Sequence, residues 1–306
     1  MPTLQQFRYL VAVADTLHFR RAAESVHVTQ PTLSTQLREL EEKLGVQLVE
    51  RSRAGVTLTP IGREVADRAR GVLRDVADIT ALARVGADPF SGTIRVGIVG
   101  SLGGYFLPLV LPTLRAEHPA LKFYVREGVS ADLLGRLREG ALDLLFFPLP
   151  VDEPGLRSVP LFHEPLLVVM PSAHPLAARR VVPRDALRGE RVMTLESGHR
   201  LHDTVAALVE SAGAELSLDY EGTSLDTLRQ MVATGLGLSV LPALYVRSEV
   251  EREALVTARP LPDPQPGRDI GMVWRGTAAW GAAFETLAGT IRDALREAAP
   301  EVTVMG

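Results

Sequence analysis

The sequence predicts an N-terminal all-α winged helix-turn-helix unit with a long linker helix, followed by a larger α/β region. Three observations predict it. A short helix, a polar turn and a second amphipathic helix fill Arg20 to Leu44; an apolar seam with a 3.5-residue period runs from Val65 to Ala83; and seven short apolar runs alternate with helical stretches beyond residue 92.

The first pattern is RRAAESVHVTQPTLSTQLRELEEKLGVQLVER, with its turn at Val26 to Thr29. Thr29 suits an N-cap, because its hydroxyl can accept from the unpaired N–H groups of the next turn, and Pro31 is tolerated just inside. The second helix therefore starts near Gln30. Leu33, Leu37, Leu40 and Leu44 form one apolar stripe, and Gln30, Thr32, Ser34, Thr35, Gln36 and Arg38 are expected to point away from it. Such a polar face suits the major groove of double-stranded DNA, where these side chains donate and accept at base edges and phosphates. Val46 to Arg51 and Val56 to Thr59 read as a hairpin wing, with Arg51 and Arg53 placed for phosphates.

From Ile61 a long helix carries Val65, Ala69, Val72, Val76, Ile79 and Ala83 at alternating spacings of four and three, with Arg63, Asp67, Arg70, Arg74, Asp75 and Asp78 opposite. That period belongs to a coiled-coil seam, and its expected partner is the same helix of a second copy.

Length and charge are consistent with this division. A chain of 306 residues suits two or three compact units. Residues 1–70 hold 10 Lys and Arg against 8 Asp and Glu, whereas residues 89–306 hold 21 against 26, so DNA contact is expected only in the N-terminal part. No apolar run approaches the roughly 20 residues of a membrane span, and the start MPTLQQFRYL has no basic or secretory segment, so the expectation is a cytoplasmic protein without membrane contact. The chain has no cysteine, which excludes disulfides, thiolate zinc sites and cysteine-based redox sensing.

Beyond a linker at Asp88 to Gly92, apolar runs occur at Thr93 to Val99, Lys122 to Glu127, Leu142 to Pro148, Leu166 to Met170, Arg191 to Leu195, Leu238 to Leu241 and Ile270 to Arg275. Their alternation with helices predicts mostly parallel sheet, in one piece or two. Ligands in such sheets bind at strand ends, where helix N-termini offer free N–H groups. Ser101, Ser130 and the pair Thr223 and Ser224 each stand at such a start, as binding residues or merely as caps.

The segment TLESGHRLHD carries His199, Arg200, His202 and Asp203. A metal site there is disfavoured, because no accompanying ligand motif is present. A hydrolase using Ser101, His199 and Asp203 is also disfavoured, since Val99 stands where a nucleophile elbow needs glycine. TGLGLSVLP lacks the third glycine of a dinucleotide fingerprint, so Gly235 and Gly237 are expected to end a helix. No enzyme activity, cofactor or metal is expected.

The N-terminal region resembles the LysR-type transcriptional regulators. The matching residues include Leu4, Phe7, Phe19, Ala22, Ala23, Val28, Gln30, Pro31, Ser34, Leu40, Glu41, Leu44, Gly45, Leu48, Arg51, Thr59 and Gly62. The resemblance implies a DNA-binding domain at 1–60, a dimerising linker helix at 61–88 and an effector-binding domain at 92–306. The last is expected to form two periplasmic-binding-protein-like subdomains, at 92–163 with 268–306 and at 164–267, with a small-molecule effector between them. EPLLVVMPSAHPLA fits the first crossover. The resemblance also implies a homodimer through the linker helix, a homotetramer through the α/β regions and RNA polymerase as a candidate partner.

GIVGSLGGYFLP, VPLFHEPLL, TLESGHRLHD, TSLDTLRQMVATGLGLSVLPAL and RDIGMVWR are similar to the peroxide-sensing OxyR subfamily. By that resemblance its sensing cysteine would fall at Arg200 and its resolving cysteine at Val209, and neither residue can perform thiol chemistry. Arginine instead offers a permanent charge and a fork of donors matched to a carboxylate. The expectation is an effector-controlled regulator whose ligand, a small anion or alternatively peroxide or a neutral polar molecule, meets Ser101, Ser130, His199, Arg200, Asp203 and Thr223. The alternative is a constitutive or architectural DNA-binding protein.

Overall fold

A computed structural model describes residues 1–52, 55–85, 90, 92–217, 222, 224–278 and 280–306, without the side chains of 51, 52, 55, 74, 77, 78 and 81–85. The chain divides into two compact units, Met1–Ala87 and Asp88–Gly306.

The first unit comprises α1 (Leu4–Thr16), α2 (Phe19–Ser25), α3 (Gln30–Leu44), the antiparallel hairpin β1 (Val49–Ser52) and β2 (Gly55–Leu58), and α4 (Pro60–Val85). Thr29 caps α3 by accepting from the Thr32 amide, and Gly45 ends it in the left-handed conformation at φ 70°. Leu33, Leu37 and Leu40 are fully buried with Leu10, Val13, Ala22 and Leu48. Leu44 departs from the expected stripe. It is 36% exposed and borders an apolar hollow with Ile61, Val65 and Val72 of α4.

Gln36 also differs from expectation. Its amide donates to Glu39 and its Oε1 accepts from the buried Gln6, so it ties α1 to α3 instead of standing free. β1 begins at Val49, later than the apolar run that starts at Val46, because Val46 follows the Gly45 turn and is exposed. Glu41 Oε1 then accepts from the Leu48 and Val49 amides at 2.8 and 3.1 Å and anchors the wing. Thr59 accepts from the Gly62 amide at the start of α4, and a Cβ at Gly62 would overlap the Leu48 carbonyl. On α4, Ala66 and Ala69 are buried, whereas Val72 and Ile79 are 41% and 65% exposed. The side chain of Ala83 lies outside the described residues.

The second unit contains β3 (Gly92–Val99), α5 (Gly103–Glu117), β4 (Leu121–Gly128), α6 (Ser130–Arg138), β5 (Leu144–Pro148), β6 (Leu156–Pro171), β7 (Arg191–Met193), α7 (Arg200–Ala212), β8 (Glu215–Leu216), α8 (Leu225–Ala233), β9 (Leu238–Pro242), α9 (Ala243–Tyr245), β10 (Val256–Pro260), β11 (Gly267–Arg275), α10 (Gly281–Ala298) and β12 (Thr303–Val304). Strands follow one another in the order β4-β3-β5-β11-β6-β9-β7-β8, with β10 and β12 also paired to β6.

The sheet is mixed, which corrects the expectation of a mostly parallel one. β3 pairs parallel with β4 and β5, and β7 with β8 and β9, but β11 and the 16-residue β6 run antiparallel through the middle. β6 starts at Leu156, eight residues before the segment expected to cross. Two cores flank it. One gathers Ile98, Phe106, Phe146, Phe162, Ile270 and Phe284; the other gathers Val168, Leu187, Val205, Leu228 and Val240. The first core also takes Leu244, from a stretch of chain whose neighbours belong to the second.

Candidate functional site

On α3 the stripe that packs inward leaves Gln30, Thr32, Thr35 and Arg38 exposed. Arg38 makes no hydrogen bond or ion pair among the described residues. The Thr32 hydroxyl lies 2.8 Å from that of Thr29, so it belongs partly to the cap, and Ser34 is half-buried. Arg51 stands in β1 with its side chain undescribed, and Arg53 lies outside the described residues.

In the second unit a cavity of about 450 Å³ opens between the end of β5, the start of α7 and the crossover strands. Pro148, Leu149 and Pro150 line one side, Arg200, Leu201, Asp203 and Thr204 another, with His163, Gly267, Arg268 and Asp269 from β6 and β11. Gly198, at φ 98°, turns the chain so that α7 begins at Arg200. Arg200 Nη1 donates to the Pro148 and Pro150 carbonyls at 2.8 and 2.6 Å, and its guanidinium lies 5.4 Å from the Phe147 ring centroid. A Cβ at Gly267 would overlap the His163 ring, so glycine there makes room for that side chain.

Behind this wall lies a buried charge network. Arg268 donates to Glu164 at 2.8 Å, to the Ser101 hydroxyl at 2.7 Å and to the Ser101 carbonyl at 2.9 Å. Glu164, 0% exposed, also accepts from the Leu244 amide at 3.0 Å. A buried arginine is tolerated because its donors are met by a carboxylate and two oxygens. At the mouth, His163 Nδ1 lies 2.6 Å from Asp269 Oδ1.

Of the expected effector residues, Arg200 and Asp203 therefore line the cavity, and Ser101 reaches it only through Arg268. Ser130 and His199 are buried and do not line it; Thr223 lies outside the described residues. The caps also differ. Leu102 precedes α5 and Val129 precedes α6 without side-chain capping, whereas Ser224 caps α8 by accepting from the Thr227 amide. Gly235, at φ 83°, follows the end of α8.

His199, 7% exposed, has no hydrogen bond at Nε2 among the described residues; Glu196 Oε1 is 3.9 Å away. Burial pushes its pKa down against the opposing pull of Glu196, so the neutral ring is favoured. No hydrogen bond joins it to Ser101, and His202 Nδ1 faces the Leu195 carbonyl at 2.8 Å. Among the described residues no group of three or more His, Cys, Asp or Glu is placed to hold a metal.

Glu164, Arg268, His163 and Asp269 are not among the site residues expected from the sequence. The available signal was a pair of opposite charges, HE and RD, each beside an apolar run.

Residues 4–63 match the lysR-family bacterial regulatory helix-turn-helix protein, and residues 87–296 match the LysR substrate binding domain. The DNA-binding transcriptional dual regulator OxyR of Escherichia coli K12 is 40% identical over 289 residues, covering 94% of each chain. A full-length OxyR from Pseudomonas aeruginosa with a cysteine-to-aspartate substitution superposes with a TM-score of 0.79 at 36% identity, covering 95% of this chain and 94% of that one. A hydrogen-peroxide-bound cysteine-to-serine mutant of Corynebacterium glutamicum OxyR gives 0.67 at 32% identity, over 97% and 94%. With both segments matched and this similarity sustained along nearly the whole chain, the protein belongs to the LysR family of DNA-binding transcriptional regulators and is OxyR-like within it.

Proposed function

We propose that this regulator is controlled by a small acid bound in the cleft of its α/β unit and not by a cysteine switch. The observation that carries the reading is Arg200. It stands at the start of α7, lines the cavity, reaches the Pro148 and Pro150 carbonyls, and meets no carboxylate among the described residues. A carboxylate that engages the remaining guanidinium donors would change the contact between α7 and the end of β5, and so couple ligand binding to the arrangement of the two sheet halves. Asp203 borders the same site, and Arg268 with Ser101 forms its fixed floor. Ser130, His199 and Thr223 are the remaining effector candidates, of which the first two do not line this cavity.

DNA binding is assigned to Gln30, Thr32, Ser34, Thr35 and Arg38 on α3, with Arg51 and Arg53 on phosphates. The exposed Val72 and Ile79 of α4, with the apolar hollow formed by Phe7, Leu44, Ile61 and Val65, support a homodimer through the linker helix, and OxyR likeness supports a tetramer. No helix is long and apolar enough to cross a membrane among the described residues.

Calorimetry of the full chain with a panel of small carboxylic acids tests the effector reading. Binding by at least one acid, lost in Arg200→Gln, is expected. Undiminished binding in that variant, or none in the unmodified protein, would overturn it.

A further inference from the structure

Arg200 and Asp203 lie three residues apart in the first turn of α7, a spacing at which arginine and aspartate commonly pair. They do not pair here. The Arg200 side chain is drawn to the Pro148 and Pro150 carbonyls and to the Phe147 ring, and both bonds use Nη1. Its Nε and Nη2 make no hydrogen bond among the described residues. Asp203 is exposed and likewise has no hydrogen bond or ion pair among them.

The other charged groups at the cavity have partners. Arg268 is bound to Glu164 at 2.8 Å, and Asp269 Oδ1 lies within hydrogen-bond distance of His163 Nδ1, at 2.6 Å. One positive and one negative group therefore remain open on the same wall. A simple anion would gain Arg200 but meet repulsion from Asp203, a simple cation the reverse, and a ligand carrying both charges would satisfy the two. The cavity volume of about 450 Å³ falls within the ordinary range for small-molecule sites, and Leu149, Leu201 and Pro148 provide an apolar seat for a side chain.

We propose that the cleft takes a small zwitterion of the amino-acid class, its carboxylate in the Nε/Nη2 fork of Arg200 and its ammonium on the Asp203 carboxylate. This rests on the effector reading above and narrows it. A structural role for Asp203 also exists, since a carboxylate in the first turn of a helix is favoured by the helix dipole. That role is indifferent to what occupies the cavity, so ligand discrimination separates the two.

The test is calorimetric titration of the full chain with the proteinogenic amino acids, each paired with the acid lacking its amino group and the amine lacking its carboxylate; for leucine these are 4-methylpentanoate and 3-methylbutylamine. At least one amino acid should bind about tenfold or more tightly than either partner compound, a difference of about 1.4 kcal/mol. Asp203→Asn should bring its affinity down to that of the matched acid without weakening the acid, and Asp203→Glu should restore the preference. Arg200→Gln should weaken acid and amino acid alike. If the acids bind as tightly as the amino acids, or if Asp203→Asn keeps the preference, the zwitterion proposal falls while the effector reading survives. If no compound binds, both fall.

Discussion

Arg38 is an exposed cation on the outward face of α3, with no partner of its own among the described residues to compete with a phosphate. Replacing it with alanine should weaken duplex DNA binding and reduce the slope of log affinity against log salt by about one, the counterion equivalent of a single phosphate contact. Fluorescence anisotropy over a salt series measures both, and an unchanged slope would remove Arg38 from the interface. His199 supplies a different kind of test. Because burial lowers its folded-state pKa below the usual 6.5, the unfolded chain binds the proton more readily. Its contribution to stability is complete above pH 6.5 and is lost as pH falls from there toward the folded value. Thermal melts from pH 7.5 to 5 should show a decline that is smaller in His199→Gln, whose side chain does not titrate. Parallel melting curves for the two proteins would show that another group governs the decline.

The crossover strands β6 and β11 carry Glu164 and Arg268 into the interior, where Glu164 is fully buried and Arg268 nearly so. Removing one partner leaves the other buried and uncompensated, so Glu164→Ala should destabilise the α/β unit by about 3–5 kcal/mol. Replacing both, as Glu164→Leu with Arg268→Met, should recover most of that loss, because two apolar side chains incur no desolvation cost for charge. Urea denaturation followed by tryptophan fluorescence suits this test, since Trp274 and Trp280 both lie in that unit. A double variant as unstable as the single one would mean that the Ser101 and Leu244 contacts, and not the charge balance, hold the strands.

For the whole molecule, the half-exposed Val72 leaves part of an apolar group on α4 uncovered by the described residues. Val72→Asp would bury a charge in a helix seam, and light scattering at micromolar concentration should then report a smaller assembly than the unmodified protein. A variant of unchanged mass would move the interface elsewhere. Thiol chemistry is absent from the chain, with Arg200 and Val209 where the resemblance would place the sensing and resolving cysteines. Low peroxide should therefore cause no dithiothreitol-reversible change in DNA binding. The six methionines remain oxidisable, but their sulfoxides are repaired by dedicated reductases and not by simple thiol exchange. A rapid footprint change reversed by dithiothreitol would contradict this.

Much of the DNA-binding unit was legible in the chain because its determinants are local. Thr29 capping α3, Gly45 ending it and the Leu33, Leu37, Leu40 spacing all act within a turn or two of helix, where periodicity translates directly into a buried face. The apolar runs likewise marked most strands of the α/β unit, but not their order or direction. Antiparallel crossovers through the middle of the sheet depend on residues more than a hundred positions apart, such as Glu164 and Arg268. Ser101 shows the same limit: read locally it was a cap or a ligand contact, and packing made it the acceptor of an arginine 167 residues away. The regulator's family, its helix-turn-helix and its lack of cysteine were all readable along the chain, since they follow from residue identity and short spacing. That Arg200 turns to the Pro148 and Pro150 carbonyls and leaves Asp203 without a partner among the described residues is a property of the fold, because it depends on which distant backbone oxygens the folded sheet brings within reach of one guanidinium.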